Sequence, residues 1–175
     1  MIENNVAIIA AVSDNGVIGK NNKIPWHQKT DIRNFKYMTT GNIVVMGSKT
    51  FESLNEKPLS NRINFVLTSN IIKYNKQYNE SILFLKSYDD ALFYGFDIIK
   101  NKPNIKIFII GGQKVYEQAI NHSFTNEMFI TKVHCNIEGD SYFPKIDESW
   151  TLMSVTNFPQ DENNEYSYSF LYYKR

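Results

Sequence analysis

Asp31 follows Thr30 and precedes Ile32 and Phe35, two apolar residues that share one helical face. An acid facing an apolar cleft becomes a pocket's main specificity device, because burial makes its charge select a partner. In the first turn of a helix the same acid has a plainer role, as partner of the helix's positive end. A second chemistry lies in Ile110-Gly111-Gly112-Gln113-Lys114-Val115-Tyr116. Two glycines let backbone N–H groups approach an anion closely, and the helix start that follows adds attraction. The G-x-G-x-x-G spacing of dinucleotide-binding strands is absent, since Gln113 holds the third position. A tight turn requiring positive φ explains the glycine pair equally well. Met46-Gly47-Ser48-Lys49-Thr50 repeats the pattern, and Leu67-Thr68-Ser69-Asn70 adds hydroxyl donors. Two such corners in one small chain point to a diphosphate ligand. Lys49, Lys86 and Lys114 supply charge for a further phosphate, although each alone reads as a solvated surface charge.

Between Ser13 and Lys29 runs a long segment with Gly16-Val-Ile-Gly19, Asn21-Asn22 and Ile24-Pro25-Trp26-His27. A connection of that length in a small domain is usually functional. Val17, Ile18, Ile24 and Trp26 give it an apolar underside that can cover a ligand. His27, His122 and His134 show no metal-ligand spacing with Cys135 or with acids, so no metal is expected. No Ser/His/Asp nucleophile pattern is present.

These residues need a scaffold, and the hydrophobic pattern supplies one. Apolar, largely β-branched runs at 6–12, 43–46, 63–67, 82–85 and 105–110 end at glycines or polar turns and read as strands buried on both faces. Helix signals fall between them: Thr30-Asp31 opens one that Gly41 closes, and Ser48 starts a short one through Leu54. Ser87-Tyr-Asp-Asp90 opens 88–100, and a last helix covers 113–120. Alternation of this kind predicts an α/β fold with a mostly parallel central sheet and helices on both faces. Thr125 to Val133 reads as a further strand. Trp150 to Asn157 and Glu165 to Tyr173 form a C-terminal antiparallel hairpin through the polar connector 158–164. The stripe Tyr166, Tyr168, Phe170 and Tyr172 is expected to pack rather than to bind.

The chain has 175 residues, 42% hydrophobic and 21% charged, with net charge +1. That suits one domain over 1–175 with a real core. The near-neutral charge argues against general nucleic-acid or membrane-surface binding. No apolar run reaches membrane-helix length. Met1-Ile2-Glu3-Asn4-Asn5 lacks a signal-peptide pattern, and the single Cys135 fits a reducing compartment, so a cytoplasmic protein is expected.

Taken in order, these pieces resemble dihydrofolate reductase along nearly the whole chain. The resemblance is carried by Ile9-Ala10-Ala11, Gly16-Val-Ile-Gly19, Pro25-Trp26, Asp31, Phe35-Lys36, Met46-Gly47, Thr50-Phe-Glu-Ser53 and Pro58-Leu59. It continues through Arg62, Ile110-Gly111-Gly112, Val115-Tyr116-Glu117, Thr131, Glu138-Gly139-Asp140 and Phe143-Pro144. It implies reduction of 7,8-dihydrofolate with NADPH by a monomer open to antifolate inhibitors. By position, it makes Asp31 the acid that binds the pterin, Thr131 the supporting hydroxyl and Trp26 a neighbour of the protonating water. Ile9, Ile32, Phe35, Leu54, Lys57, Leu59, Ile110 and Tyr116 would surround the substrate, and Arg62 would clamp its glutamate. Ala11, Val17, Ile18, Gly19, Asn22, Gly47, Lys49, Thr50, Thr68, Ser69 and Lys86 would meet the cofactor, with Gly111, Gly112, Gln113, Lys114, Val115 and Tyr116. Gly139-Asp140 resembles the distant loop that steadies the first loop when closed.

The chain departs from the family pattern at Ser48, where many relatives carry arginine. It departs again at Gln113, where a third glycine is common and tolerance is expected, and at Ile24, where Met or Leu is usual. Other readings are an NADPH-dependent reductase of another heterocycle and a non-catalytic pteridine- or NADP-binding module. Arg62 and the Asp31/Thr131 pair argue against the first; retention of both Asp31 and the glycine corners argues against the second. A piece of a fusion with thymidylate synthase would need a second domain or a long linker, and neither is visible.

Overall fold

The computed structural model describes residues 5–74 and 81–175; the Met1–Asn4 stretch considered above for a signal peptide lies outside them. The elements in chain order are β1 (Val6–Ser13), β2 (Val17–Gly19), α1 (Lys29–Thr39), β3 (Ile43–Gly47), α2 (Ser48–Ser53) and β4 (Ile63–Leu67). After a 3-10 turn (Ile71–Tyr74) come β5 (Ile82–Leu85), α3 (Tyr88–Asn101), β6 (Ile107–Gly111), α4 (Gln113–Ile120) and β7 (Thr125–Val133). The chain ends with β8 (Ser141–Tyr142), β9 (Thr151–Phe158) and β10 (Tyr168–Lys174).

Eight strands form one sheet in the order β5-β4-β3-β6-β1-β7-β10-β9. Every pair from β5 to β7 is parallel, and β10 runs antiparallel to both β7 and β9. The apolar runs are continuous because both faces are covered. Val6, Ile8, Ile43, Val45, Phe65, Ile107 and Ile109 point to the side of α3 and α4. Their neighbours Ala7, Ile9, Val44, Met46, Val66 and Phe108 point to the side of Phe51 on α2 and Phe35 on α1. Alternate residues of one strand thus feed two cores. Among the described residues no helix is long and apolar enough to cross a membrane.

The helix starts show local and non-local capping side by side. Ser87 accepts from Asp90 N at 3.0 Å, while Ser87 N donates to Asp90 Oδ2 at 3.1 Å, a complete capping box. Gly47, not Ser48, sits at the N-cap of α2, with no side-chain cap; Ser48 is already helical. The start of α1 also lacks a cap of its own. It is held from far along the chain. Thr30 N donates to Asn164 Oδ1 at 3.1 Å, Asn164 Nδ2 donates to Thr30 Oγ1 at 3.0 Å, and Lys29 N donates to Asn163 O at 3.0 Å. Gln28 exchanges two bonds with the backbone of Tyr166. The connector before β10 therefore fixes the helix turn that carries Asp31.

The aromatic stripe of β10 packs as expected. Tyr172 stacks on Phe129 at 4.9 Å and Tyr168 on Phe158 at 5.0 Å. Tyr166 lies before the strand, whose start is later than the expected Glu165. The segment 13–29 is not structureless: β2 within it pairs antiparallel with β8, Val17 opposite Tyr142. His134 lies just beyond β7 and bonds Ser169 Oγ at 2.7 Å.

Asn164→Ala is expected to lower stability more than Ser87→Ala, by about 2 kcal/mol against about 1 kcal/mol, because it strips partners from a buried site. Urea unfolding of the two variants checks this; an equal loss would show that Asn164 does not hold α1.

Candidate active site

Asp31 reaches the rest of the site through Thr131. Asp31 stands in the first turn of α1, and Thr131 stands on β7, opposite Ala11 of β1 and buried. The Asp31 carboxyl is partly open at the surface yet enclosed enough that desolvation pushes its pKa above the usual aspartate value; the hydrogen bond from Thr131 pulls it back part of the way. The Asp31 charge is also felt by Tyr116, whose pKa is raised first by its complete burial and then by that charge. Tyr116 donates its hydroxyl to Ile9 O at 2.8 Å. Its ring lies against Gly111: a Cβ added there would meet Tyr116 Cε2 at 2.9 Å. One tyrosine thus joins the acid, the middle of β1 and the glycine corner.

The two corners that the sequence suggested are adjacent. Met46 pairs with Gly111 across β3 and β6. A Cβ on Gly47 would lie 3.2 Å from Val115 Cγ2 and 4.0 Å from Gly112 N, and one on Gly112 would lie 3.3 Å from Thr50 Oγ1. Gly111 has φ +105° and the Gly111–Gly112 peptide is cis. A side chain is excluded at Gly111 and crowded at Gly47 and Gly112, which leaves backbone polar groups beside the N-terminus of α4. Thr68 is buried at the end of β4, while Ser69, Lys49, Lys86 and Lys114 are exposed on the same side of the sheet's strand ends.

The apolar residues named for the substrate gather on the other side of the acid. Ile9, Phe35, Leu54, Leu59 and Ile110 belong to the cluster on the α1 and α2 face. Ile32 is 56% exposed and Ile24 is 59% exposed, large apolar side chains bordering the same region of the chain. Arg62 is buried, lies 6.0 Å above the Phe35 ring and is oriented by bonds to Ser60 O at 2.9 Å and Thr39 Oγ1 at 3.0 Å. Burial lowers its pKa from the usual arginine value. Lys57 is exposed, and no contact ties it to Asp31.

The first loop is held over this region by the segment before β8. Asn21 N donates to Asp140 Oδ2 at 2.8 Å, Asp140 N donates to Gly19 O at 3.1 Å, and Lys20 Nζ meets Glu138 at 2.9 Å. The Asn21 N–H, with help from the Ser141 hydroxyl, keeps the Asp140 carboxyl below the usual value. Ala11, Ile18 and Gly19 are partly exposed, and Asn22 is exposed at φ +59°. Val17, named for the cofactor, turns its side chain inward. It is fully buried, packed where a Cβ on Gly139 would come within 2.3 Å of it, and its N–H is taken by Ser13 Oγ. Trp26 is buried, and its Nε1 has no partner among the described residues. Beside it a cavity of about 510 Å³ is lined by Ile24, Trp26, His27 and Glu165.

Several positioning residues were not legible from the sequence. Asn164 and Gln28 set α1; Thr39 aims Arg62. Asn64, fully buried, bonds Leu59 N and O and Arg62 O and so shapes the loop that carries both. Their partners lie elsewhere in the chain or on backbone, so only the oddity of a buried-strand asparagine gave any signal.

Comparison with known proteins agrees with this geometry. The sequence profile of the family "Dihydrofolate reductase" matches residues 5–175. The chain belongs to the dihydrofolate reductase family. It is 34% identical to the dihydrofolate reductase of Bacillus subtilis, over 97% of this chain and 94% of that one. It is 37% identical to the dihydrofolate reductase of Buchnera aphidicola, over 95% and 96%. Among solved structures, the dihydrofolate reductase of Enterococcus faecalis complexed with NADP(H) and RAB-propyl superimposes with TM-score 0.81. That match has 34% identity and covers 97% of this chain and 95% of that one. The parallel sheet, the C-terminal hairpin and the four helices of this dihydrofolate reductase fold are thus shared.

A raised carboxyl pKa costs folding free energy wherever the group is ionised in the native state. Such a group contributes most below its unfolded value near 3.8 and loses that contribution as pH rises through the folded value. Asp31→Asn, which still accepts from Thr131, is therefore expected to be more stable than the native protein at pH about 7, with the gap closing as pH falls towards about 4. Urea midpoints at both pH values check the sign; equal or lower stability of the variant at neutral pH contradicts it.

Proposed function

We propose that the residues brought together here carry the family's reaction, NADPH-dependent reduction of 7,8-dihydrofolate to tetrahydrofolate, in the following roles. The observation that supports this most is that Asp31, desolvated and held in part by the Thr131 hydroxyl, acts by its charge on Tyr116, the same tyrosine that packs on the Gly111 corner. A flat N–H-bearing heterocycle set against Asp31 then lies within the same cleft as a ligand held at Gly111 and Gly112.

NADPH suits this site because two adjoining corners free of side chains flank the start of α4, which favours a diphosphate. Gly47, Thr50, Gly111, Gly112, Gln113 and Val115 would hold it there, with Lys49, Thr68, Ser69, Lys86 and Lys114 near its outer phosphate. Ala11, Ile18, Gly19 and Asn22 would cover its other end, with Val17 serving from beneath. When bound, it supplies the hydride, which goes to the pterin C6 while N5 gains a proton.

The chain's own residues do the rest. Asp31 and Thr131 bind the pterin edge and fix its orientation. Ile9, Ile32, Phe35, Leu54, Leu59, Ile110 and Tyr116 exclude water from its faces, with Lys57 at the outer rim. Arg62, pre-aimed by Thr39 and Ser60, offers a planar fork to the glutamate α-carboxylate. No side chain is an obvious donor to N5, so the proton comes from water admitted beside Ile24 and Trp26. The Trp26 Nε1, unpartnered among the described residues, supports that path. Asp31 acts by binding and polarising, not by direct transfer. The first loop, closed against Asp140, shields the cleft and strengthens its electrostatics. A single domain over 1–175 acting as a monomer belongs to the same proposal, and the lone Cys135 supports a cytoplasmic setting. Antifolates with a basic heterocycle would compete at Asp31.

Loss of NADPH absorbance on adding dihydrofolate, stopped by an antifolate, tests the activity. Asp31→Asn is expected to lower kcat at neutral pH by at least about 100-fold, the scale of losing one preorganised electrostatic contact, with NADPH affinity little changed. Full turnover in that variant would remove Asp31 from the role.

A further inference from the structure

Gln113 occupies a corner where closely packed glycines are the rule, and the sequence offers no reason for a side chain there. The structure does. Gln113 is the first residue of α4, directly after Gly112. Its Nε2 donates to Glu117 Oε1 at 2.8 Å, one turn along the helix, and its Oε1 accepts from Tyr142 N at 2.9 Å. These partners fix the amide's orientation, because a carboxylate only accepts and a backbone N–H only donates.

Tyr142 belongs to β8, and β8 stands between the corner and the first loop. Val17 of β2 lies opposite Tyr142, and Gly19 lies opposite Ser141. The N–H groups of Asp140 and Phe143 donate towards the first loop, to Gly19 O at 3.1 Å and Gly16 O at 2.9 Å. The N–H of Tyr142 is turned the other way, to Gln113. Asp140 at the same segment holds Asn21 N at the loop's outer bend. The Tyr142 hydroxyl reaches back to Gly139 O at 3.0 Å, stiffening the turn, and Phe143 packs on Tyr116 of α4 at 5.0 Å. A glycine at position 113 makes neither side-chain bond.

We propose that Gln113 is a positioning residue that ties the first loop, through β8, to the glycine corner, so that corner and loop order together. This rests on the assignment of Gly111 and Gly112 to the cofactor. Gln113 acts on the loop through Tyr142 rather than on the reacting atoms. The coupling is reciprocal: a ligand that steadies the start of α4 steadies Asn21, and a loop held by Asp140 steadies the corner.

Amide hydrogen exchange followed by NMR, on the full chain with and without NADPH, tests this with Gln113→Ala and with Gln113→Glu combined with Glu117→Gln. Without NADPH, the Tyr142 and Asn21 amides should exchange about threefold faster in Gln113→Ala, the effect of one exposed hydrogen bond. Gln113→Glu made together with Glu117→Gln, which keeps the acceptor for Tyr142 and the bond to position 117 without facing two carboxylates, should restore exchange at both. Saturating NADPH should slow exchange at Asn21 in the native protein and slow it less in Gln113→Ala. Equal exchange at Asn21 in native protein and Gln113→Ala overturns the tie, as does failure of the double variant to restore it. NADPH that binds the native protein yet leaves Asn21 unchanged overturns the coupling. Should NADPH not bind at all, the assignment of the corner fails, while the measurements without NADPH still decide the tie.

Discussion

A carboxyl group taken out of water, and only partly compensated by one threonine hydroxyl, is what the rest of this molecule is arranged around. Burial raises the pKa of Asp31, and Thr131 lowers it again without cancelling the cost. A group in that state is poorly served by the protein alone. It is served well by a ligand that brings its own N–H donors, the role proposed for it here. The start of α1 donates its free N–H groups to Asn164 and Asn163, residues that follow β9 in the chain. The acid's position thus depends on the last strands of the sheet, although Asp31 itself lies early in the chain.

The parallel sheet turns that local chemistry into a reaction site. Strands β3 and β6 end together, so the corner after β3 and the corner after β6 touch. Tyr116, rooted in α4, bonds the middle of β1 and packs on the corner at Gly111. The first loop, the β8 segment and Gln113 close the outer side. None of these contacts is strong alone. They share backbone partners, so each restrains the others.

Much of this was legible in the residues. The continuous apolar runs meant strands covered on both faces, and the two core clusters supply those faces. Ser87 was legible as the start of α3 because capping is local, and the structure adds the return bond from Ser87 N to Asp90. The glycine corners were legible because only glycine tolerates the approach of Tyr116 and Val115. What stayed hidden depends on partners distant in sequence. Asn164 looked like part of a polar connector, Ser48 looked like a cap although Gly47 holds that place, and the loop 13–29 gave no sign of pairing with residues 141–142. Val17 looked like a lid residue because its apolar character does not say which side of the loop it faces. Gln113 looked merely tolerated, because its use lies in a backbone N–H that no pattern marks.

The most direct measurement is a pH titration of the Asp31 side-chain carboxyl by isotope-edited NMR in the ligand-free protein, assigned by its loss in Asp31→Asn. Its midpoint should lie above that of an ordinary aspartate, and Thr131→Val should move it higher still. A midpoint at or below the ordinary value, or a downward move on losing the threonine hydroxyl, would contradict the description of Asp31 as a desolvated acid awaiting its ligand.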